Sequence, residues 1–399
     1  MSSVSEPLAI SQALELVLGR ILPLDTEEMT VGRAAGRVLA EAAVSRVDLP
    51  PFPSSAMDGF AVRSADGAGS FPVVDRIAAG RPATRALGVR EAMAISTGGA
   101  VPEGADAIVP IEEAEDGGAE VAILVGARAG AHVRQRGSDL SAGAVVASAG
   151  DRLGGVRLGA LAAAGISAIR CRRRPRVAIA VTGSELRGPG ESLGPGEIYE
   201  ANGVMLATQA ESAGAEVELL PPVADDAEAT RAALEHGLGA DVLITSGGVS
   251  VGTHDLVRGI EAELGVEEIF WRVSVRPGKP VSFGVCGSTL VFGLPGNPMS
   301  SLVGFELFAR PALMALQGSA DPAPRFLPAR LGAPVRGGRD RDWVLRARSR
   351  VEGNAVVVEP IVGQESHMLA RAAAADCLVL VASGPEPVAA GAVVSYLAL

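Results

Sequence analysis

The sequence predicts a multidomain α/β and β protein with a doubly wound α/β domain at its centre. Three observations lead to this prediction. The chain has 399 residues, which is long for a single hydrophobic core. Residues 176–316 alternate short apolar strands with helices, a pattern typical of doubly wound sheets. Residues 54–147 and 325–399 instead show short β-like runs between glycine turns, which indicates two β-rich units.

The N-terminal segment predicts helix. Residues 5–22 place apolar side chains at helical spacing, with Ser5 as a cap and Pro7 in the first turn. A second helix is predicted over 30–43, and a third over 155–165 after the first β-rich stretch. In that stretch the clearest strands are predicted at 94–97, 107–111 and 121–125.

The central region predicts alternating strands and helices. Strands are expected at 177–181, 217–220, 242–245, 269–275, 281–285 and 289–293, and helices at 201–213, 226–238, 255–264 and 299–316. The run Arg172-Arg173-Arg174-Pro175 predicts a connector before this region, and residues 321–324 predict a linker after it. The remaining residues, 325–399, predict a small β-barrel or sandwich.

Composition narrows the class of partner. The formal net charge is −11 and aromatic residues make up only 3% of the chain, which argues against nucleic acids and anionic membrane surfaces. The three cysteines are far apart and have neither disulfide-frame nor zinc-site spacing. No signal peptide or bilayer-spanning run is apparent. We therefore expect a cytoplasmic protein without a nucleic-acid or membrane partner.

One basic residue differs from all the others. Of the 35 lysines and arginines, only Lys279 is a lysine, and it lies between two prolines in the run Arg276-Pro277-Gly278-Lys279-Pro280. An exposed lysine is readily replaced by arginine unless a compact, strongly hydrated point charge is needed. The sequence therefore favours contact between Lys279 and an anion, the alternative being an accidental survivor on a loop.

Three loops of the central region follow the carboxyl ends of predicted strands, where open α/β sheets bind ligands. Their glycines let backbone N–H groups approach a phosphate. Each loop alone is more commonly a plain turn, but three on one edge favour a phosphate-bearing ligand. The candidate binding residues are Thr182 and Gly183 in the first loop; Ser246, Gly247, Gly248, Ser250 and Gly252 in the second; and Pro295, Gly296, Asn297 and Pro298 in the third.

Carboxylates accompany these loops. Glu185 and Asp255 each follow one of them, and Asp225 begins a predicted helix. Hard cations such as Mg²⁺ take carboxylate and phosphate oxygens, so these acids are candidate ligands. For Asp225, a helix cap is an equally good interpretation.

Taken together, seven runs of the sequence closely resemble the molybdopterin molybdotransferase family of molybdenum cofactor biosynthesis, which is related to the C-terminal domain of gephyrin. They occur in family order along nearly the whole chain. They are residues 50–59, 97–106, 176–186, 246–252, 276–280, 293–298 and 364–367.

The resemblance implies a subunit in four parts. A helical linker domain would use residues 1–48 and 145–174, with an inserted β-rich domain at 49–144. The α/β molybdopterin-binding domain would span 175–320 and a C-terminal β-barrel domain 325–399. The family works as a homodimer, in which the β-rich domain of one subunit lies near the α/β domain of the other.

The resemblance also implies a reaction, the insertion of molybdate into adenylyl-molybdopterin with release of AMP. Catalysis would fall to Asp58, Thr97, Glu185, Asp225, Asp255 and Lys279, with Mg²⁺ on Glu185, Asp225 and Asp255. Molybdate would be surrounded by Arg272, Arg276, Pro298, Arg346 and Ser366. Contacts with the molybdopterin adenylyltransferase and with molybdoenzyme targets would be transient.

The chain departs from the family pattern at three places. Arg272 and Arg276 stand where lysines are expected, and Glu365 stands where a glycine is expected. A guanidinium fork replaces a point charge at the first two, and a carboxylate is added at the third. Two other functions stay open: adenylylation of the pterin, and a non-catalytic pterin-binding scaffold. The four-part chain favours molybdate insertion over adenylylation. The four acids Asp58, Glu185, Asp225 and Asp255 argue against a non-catalytic scaffold.

Overall fold

The computed structural model of the protein describes residues 6–248 and 256–399. In the first 175 residues it has two helices, α1 (Ile10–Leu18) and α2 (Gly155–Ala163). The strands of this part are β1 (Thr26–Thr30), β2 (Ala43–Val44), β3 (Ser54–Ser55), β4 (Gly59–Val62), β5 (Gly69–Ile77), β6 (Ala92–Ile95), β7 (Ala107–Pro110), β8 (Ala114–Asp116), β9 (Glu120–Ile123), β10 (Val133–Arg134), β11 (Val145–Ala147) and β12 (Ala168–Arg172). Short 3₁₀ turns cover Val31–Arg33, Ser64–Asp66 and Ile111–Glu113.

The N-terminal segment contains less helix than its sequence predicts. Of the helix predicted over 5–22, the structure has only α1, and Ser5 lies outside the described residues. Ala13 and Val17, one turn apart, are fully buried against the central α/β core. The helix predicted over 30–43 is wrong. A 3₁₀ turn stands there instead, and Gly36 takes a positive φ of 75° that ends any helical path.

Strands from the two ends of this segment pair with each other. β1 pairs with β12 and β2 with β11, both antiparallel, and a shared core lies between them. The residues between these pairs form a six-stranded sheet in the order β7-β4-β6-β5-β9-β8, with a hydrophobic cluster on each face. The strands predicted here at 107–111 and 121–125 are confirmed as β7 and β9, whereas the strand predicted at 94–97 is present as β6 but begins and ends two residues earlier.

The central region contains the elements that carry the candidate site. Its helices are α3 (Asn202–Ser212), α4 (Ala227–Gly237), α5 (Leu256–Glu263), α6 (Pro298–Gly304) and α7 (Arg310–Leu316). Its strands are β13 (Arg176–Val181), β14 (Leu186–Arg187), β15 (Ile198–Tyr199), β16 (Glu216–Leu219), β17 (Val242–Ser246), β18 (Glu267–Trp271), β19 (Val275–Arg276), β20 (Ser282–Cys286) and β21 (Thr289–Leu294).

The main sheet of this region has the order β16-β13-β17-β21-β20-β18. Its first four strands are parallel to one another. β20 runs antiparallel to β21, and β18 runs antiparallel to β20. Alternate residues point to opposite faces. Val177 and Ile179 therefore join the core beneath α3, α6 and α7, whereas Ala178 and Ala180 join the core beneath α4 and α5. Helices on both faces confirm the predicted doubly wound architecture.

Two central elements differ from their predictions. The strand predicted over 269–275 is interrupted, because Arg272 takes a positive φ of 95° and β19 leaves this sheet. The helix predicted over 299–316 is present but contains a π-helical turn, Phe305–Ala309. Pro311 follows this turn and cannot donate to the helical ladder. The segment Pro298–Leu316 is long and apolar enough to cross a membrane by length and composition only, but 83% of its most apolar stretch is buried within the fold.

The C-terminal region forms a closed barrel. Its elements are β22 (Leu327–Leu331), β23 (Asp342–Glu352), β24 (Ala355–Pro360), α8 (Leu369–Ala372), β25 (Cys377–Val381) and β26 (Val393–Ala398). The pairing β23-β24-β22-β26-β25 returns to β23, which closes the ring and confirms the predicted barrel. β19 of the central region pairs in parallel with the start of β23, and this pairing joins the two regions at the candidate site.

Candidate functional site

The described parts of the three predicted ligand loops meet at one edge of the central sheet. Val181 is paired with Ser246 and Ser246 with Leu294, so the strands β13, β17 and β21 end side by side. The amide of Gly247 donates to the carbonyl of Leu294 at 3.1 Å, and that of Thr182 donates to Ser246 at 3.0 Å. The first and third loops therefore lie on either side of the second.

Close packing explains why the second loop needs glycine. Gly247 has a positive φ of 99°, and a Cβ built on it would lie 2.6 Å from the carbonyl oxygen of Thr182. A Cβ on Gly296 of the third loop would in turn lie 3.6 Å from the Cα of Gly247. Any larger residue at Gly247 would push the loops apart.

A buried amide that the sequence analysis missed ties these loops together. The Nδ2 of Asn202 donates to Ser246 Oγ at 3.0 Å and to the carbonyl of Gly296 at 2.7 Å. Ser301 is fully buried and hydrogen-bonds to Ser246 Oγ at 3.3 Å. Asn202 begins α3 and is far from both partners in sequence, so no local pattern pointed to it.

Lys279 lies in a cavity of about 810 Å³ between the central region and the barrel. The backbone beside it approaches the first turn of α6, which follows the third loop, because a Cβ on Gly278 would lie 3.4 Å from the carbonyl oxygen of Ser300. The amide of Met299 donates to the carbonyl of Ser366 at 3.0 Å, which brings the barrel segment 363–367 to the same place. The polar lining side chains are Arg276, Lys279, Ser300, Arg339, Asp340, Arg341, Trp343, Gln364, Glu365, Ser366 and His367.

The structure separates the five residues that the resemblance assigns to molybdate. Arg276 and Ser366 line the cavity with Lys279. Within the described ranges, Arg272 and Pro298 are outside that lining. The guanidinium of Arg272 instead stacks on the Trp271 ring at 3.8 Å from its centroid.

Arg346 is fully buried beneath the segment 363–367. Its Nη2 donates to the carbonyl of Gly363 at 2.8 Å and to that of Glu365 at 3.3 Å. Its Nε and Nη1 have no hydrogen-bond partner in the described part of the chain. Burial lowers the pKa of the Arg346 guanidinium, and the nearby negative charge of Glu365 opposes that shift. Arg346 therefore supports the backbone of the cavity wall from the buried side, and two of its donor nitrogens have no partner among the described residues.

Asp225 lines a second cavity, of about 860 Å³, that also contains Thr182 and Gly248. Its Oδ2 accepts a hydrogen bond from the amide of Ser184 at 3.0 Å, and Ser184 Oγ accepts one from the Asp225 amide at 2.9 Å. The helix cap of α4 is the next residue, Asp226, which accepts from Glu228 and Ala229. The cap interpretation of Asp225 is thus wrong, and its carboxylate belongs to the first loop.

The other candidate residues lie in the inserted β-rich part or outside the described chain. Asp58 and Thr97 lie in the inserted β-rich part, where Asp58 Oδ1 accepts from the Thr97 amide at 2.6 Å and from its hydroxyl at 3.1 Å. Ser250, Gly252 and Asp255 lie outside the described residues. Across residues 6–248 and 256–399, no group of three or more histidine, cysteine or acidic side chains could hold a metal ion.

Comparison with known proteins covers nearly the entire chain. Residues 8–165 match the MoeA N-terminal region (domain I and II), 178–315 the probable molybdopterin binding domain, and 328–399 the MoeA C-terminal region (domain IV). Molybdopterin molybdenumtransferase 2 of Mycobacterium tuberculosis is 38% identical over 375 residues, covering 90% of this chain and 91% of that protein. The molybdopterin molybdenumtransferase of Staphylococcus epidermidis is 28% identical, covering 98% and 95%.

Solved structures show the same similarity. A molybdopterin biosynthesis MoeA protein from Pyrococcus horikoshii is 31% identical, with a TM-score of 0.80, and the match covers 98% of this chain and 99% of that one. A second structure of MoeA from that organism has a TM-score of 0.83 at 26% identity, covering 99% and 100%.

Proposed function

This chain belongs to the MoeA family, and from that membership we propose that it is a molybdopterin molybdenumtransferase. It transfers molybdenum from molybdate to the dithiolene of adenylyl-molybdopterin, with release of AMP and formation of molybdenum cofactor. The observation that carries the proposal is that Lys279, Arg276 and Ser366 line one cavity together with Ser300 of α6, the helix that follows the third glycine loop. It concentrates positive charge and hydrogen-bond donors in a chain whose net charge is −11.

Two anions must be held side by side for this reaction, and the cavity offers donors for a tetrahedral oxyanion. Lys279 contributes a point charge, Arg276 a planar fork, and Ser366 a hydroxyl. We assign molybdate to these three residues, with Arg346 supporting the backbone of the cavity wall from the buried side. Arg272 is not assigned to it, because its guanidinium is stacked on Trp271 outside the described lining of the cavity, and Pro298 is assigned to the adenylylated phosphate instead.

The adenylylated phosphate is assigned to the three loops. The amides of Thr182, Gly183 and Gly247 are bonded within the fold, so the phosphate oxygens are assigned to the other backbone N–H groups of the glycine turns and to the amino end of α6. The residues assigned to it are Thr182, Gly183, Ser246, Gly247, Gly248, Ser250, Gly252, Pro295, Gly296, Asn297 and Pro298. Tight contacts around Gly247 and the Asn202 bridge preorganise this surface, so little reorganisation is needed when the phosphoanhydride breaks.

Mg²⁺ is proposed as the cofactor of the phosphoanhydride step. Glu185 and Asp225 are both exposed, and Asp225 accepts a hydrogen bond from the amide of Ser184, the residue before Glu185. Mg²⁺ often binds through one or two carboxylates together with substrate phosphates and water, so this pair fits an ion that arrives with the substrate. Bound there, the ion would neutralise charge on the departing AMP. Asp255 remains part of the proposed set.

A homodimer would complete the site. Asp58 and Thr97 lie in the inserted β-rich part, and we propose that they act at the central region of a second copy. An apolar groove of about 840 Å³ beside α3, with Tyr199 and Val204 exposed, supports an interface on the central region. We further propose the four-part division at 1–48 with 145–174, 49–144, 175–320 and 325–399.

The cellular setting is also part of the proposal. We place the enzyme in the cytoplasm, where the three free thiols would stay reduced. Transient contacts with the molybdopterin adenylyltransferase and with molybdoenzyme targets would pass the pterin on.

One assay tests the function. The protein is incubated with adenylyl-molybdopterin and Mg²⁺, with and without molybdate, and AMP is followed. Release of AMP that depends on molybdate is the expected result. Formation of adenylyl-molybdopterin from ATP would instead identify an adenylyltransferase, and inactivity in both reactions would identify a pterin-binding scaffold.

A further inference from the structure

Both tryptophans of this chain carry an arginine guanidinium on their ring. Trp271 lies between Arg258 and Arg272, whose guanidinium carbons are 4.0 Å and 3.8 Å from the ring centroid. Trp343 carries Arg276, at 4.3 Å. These two stacks therefore contain Arg272 and Arg276, the positions where the chain has arginine in place of the expected lysine. A planar guanidinium stacks on an indole face, whereas an ammonium cannot lie flat against it.

Only the second stack belongs to the cavity. Arg276 and Trp343 are directly paired residues of the neighbouring strands β19 and β23, and both line the cavity with Lys279. Because the pairing joins the central region to the barrel, the position of this guanidinium depends on both. In the described part of the chain, Arg276 has no ion pair or side-chain hydrogen bond, so the stack is its main restraint.

Trp343 also supports the adjacent rim of the cavity. A Cβ on Gly338 would lie 2.3 Å from Trp343 Nε1, so the glycine lets the loop 337–341 rest against the indole. This loop carries Arg339 and Arg341, which line the same cavity. The Trp343 side chain thus restrains the Arg276 guanidinium with its ring face and supports the loop 337–341 with its edge.

We infer that Trp343 is a positioning residue of the oxyanion site, one that holds the Arg276 fork toward molybdate. The inference rests on the proposed function. Stacking fixes the plane of the guanidinium while leaving the N–H groups at its edge free to donate to an oxyanion. A mobile arginine at an exposed strand end would lose side-chain entropy each time it bound the anion. The indole removes much of that cost in advance.

The test compares Trp343→Leu and Trp343→Phe with Trp271→Leu as the matched control. Loss of the stack is expected to raise the molybdate KM about tenfold while kcat changes less than twofold. Trp343→Phe keeps an aromatic face and should recover most of the affinity. Trp271→Leu removes the other stack, outside the cavity, and should leave the molybdate KM unchanged. A wild-type KM in Trp343→Leu would overturn the inference, as would an equal rise in Trp271→Leu.

Two further measurements keep the test decisive. Arg276→Lys preserves the charge at an exposed position but cannot stack flat, so it should raise the KM as Trp343→Leu does, even if the leucine variant does not fold. In Trp271→Phe the only tryptophan is Trp343, and titration with molybdate alone should change its fluorescence. An unchanged KM in Arg276→Lys, or unchanged fluorescence, would contradict the positioning role. Absence of molybdate-dependent AMP release from the wild type would instead refute the proposed function.

Discussion

Replacing Lys279 by alanine tests the site most directly, because the residue lies in the cavity between the central region and the barrel. Arg174→Ala is the matched control, since each variant removes one positive charge and changes the net charge from −11 to −12. Any effect of the global field should therefore be the same in both variants. Only a local contact would distinguish them.

The structure supplies the expected magnitudes. A hydrogen bond from an ammonium to an anion is worth about 1.5–3 kcal/mol, so kcat/KM should fall roughly 10- to 150-fold in Lys279→Ala. Arg174 precedes the amino end of β13, whereas the loops follow its carboxyl end. Six residues of strand span about 20 Å. That is more than twice the Debye length of about 8 Å at physiological salt, so Arg174→Ala should change kcat/KM less than twofold.

The assay is molybdate-dependent AMP release at saturating Mg²⁺, with thermal unfolding measured to confirm that both variants fold. Lys279→Arg is informative as well. It keeps the charge but replaces a compact ammonium by a fork, and we expect it to remain at least fivefold impaired, because the chain has used arginine everywhere else. Equal loss of activity in Lys279→Ala and Arg174→Ala would mean that the anion site lies elsewhere.

Three other outcomes follow from single contacts. Burial alone would raise the pKa of Asp241, but hydrogen bonds from Arg173 and the Arg176 amide outweigh it and lower that pKa. The free energy of unfolding should therefore fall as pH drops below about 3.9, and Asp241→Asn should flatten this pH dependence in denaturant titrations. Glu365→Gln removes a carboxylate from the cavity and should tighten molybdate binding about fivefold in calorimetry, since contact repulsion in water is worth about 1 kcal/mol; weaker binding would contradict repulsion. Burial raises the pKa of the Cys377 thiol to about 12, so native-state labelling at pH 8 should spare it and modify the half-buried Cys286 first.

Much of the architecture could be predicted because its signals are local. Continuous apolar runs such as 177–181 are typical of strands buried on both faces, and Pro298 suits the first position of a helix. The helix predicted over 30–43 failed for a different reason. Val31, Val38 and Leu39 are buried as a helical pattern would suggest, but the packing partner is a strand pair and Gly36 turns the chain.

The site was predictable only in pieces. The lone lysine and the three glycine loops stood out in sequence. Because each loop follows the carboxyl end of a predicted strand, the rule for open α/β sheets predicted that the loops lie at one edge. The Asn202 bridge, the burial of Arg346 and the separation of Arg272 from Arg276 left no local signal. Each depends on segments that are distant along the chain. The presence of only two tryptophans was a usable clue, since both carry arginines in the structure.

The sequence by itself determined the order of strands and helices, the edge at which a ligand would bind, and the family to which those runs belong. Periodicity and glycine turns encode such features within a few residues of chain. The tertiary structure decided which charges face one cavity. β19 leaves the central sheet to join the barrel, and that single pairing sets Arg276 on Trp343 beside Lys279 while Arg272 is stacked elsewhere. Long-range pairing selects among residues that are locally alike, and no spacing rule along the chain contains that choice.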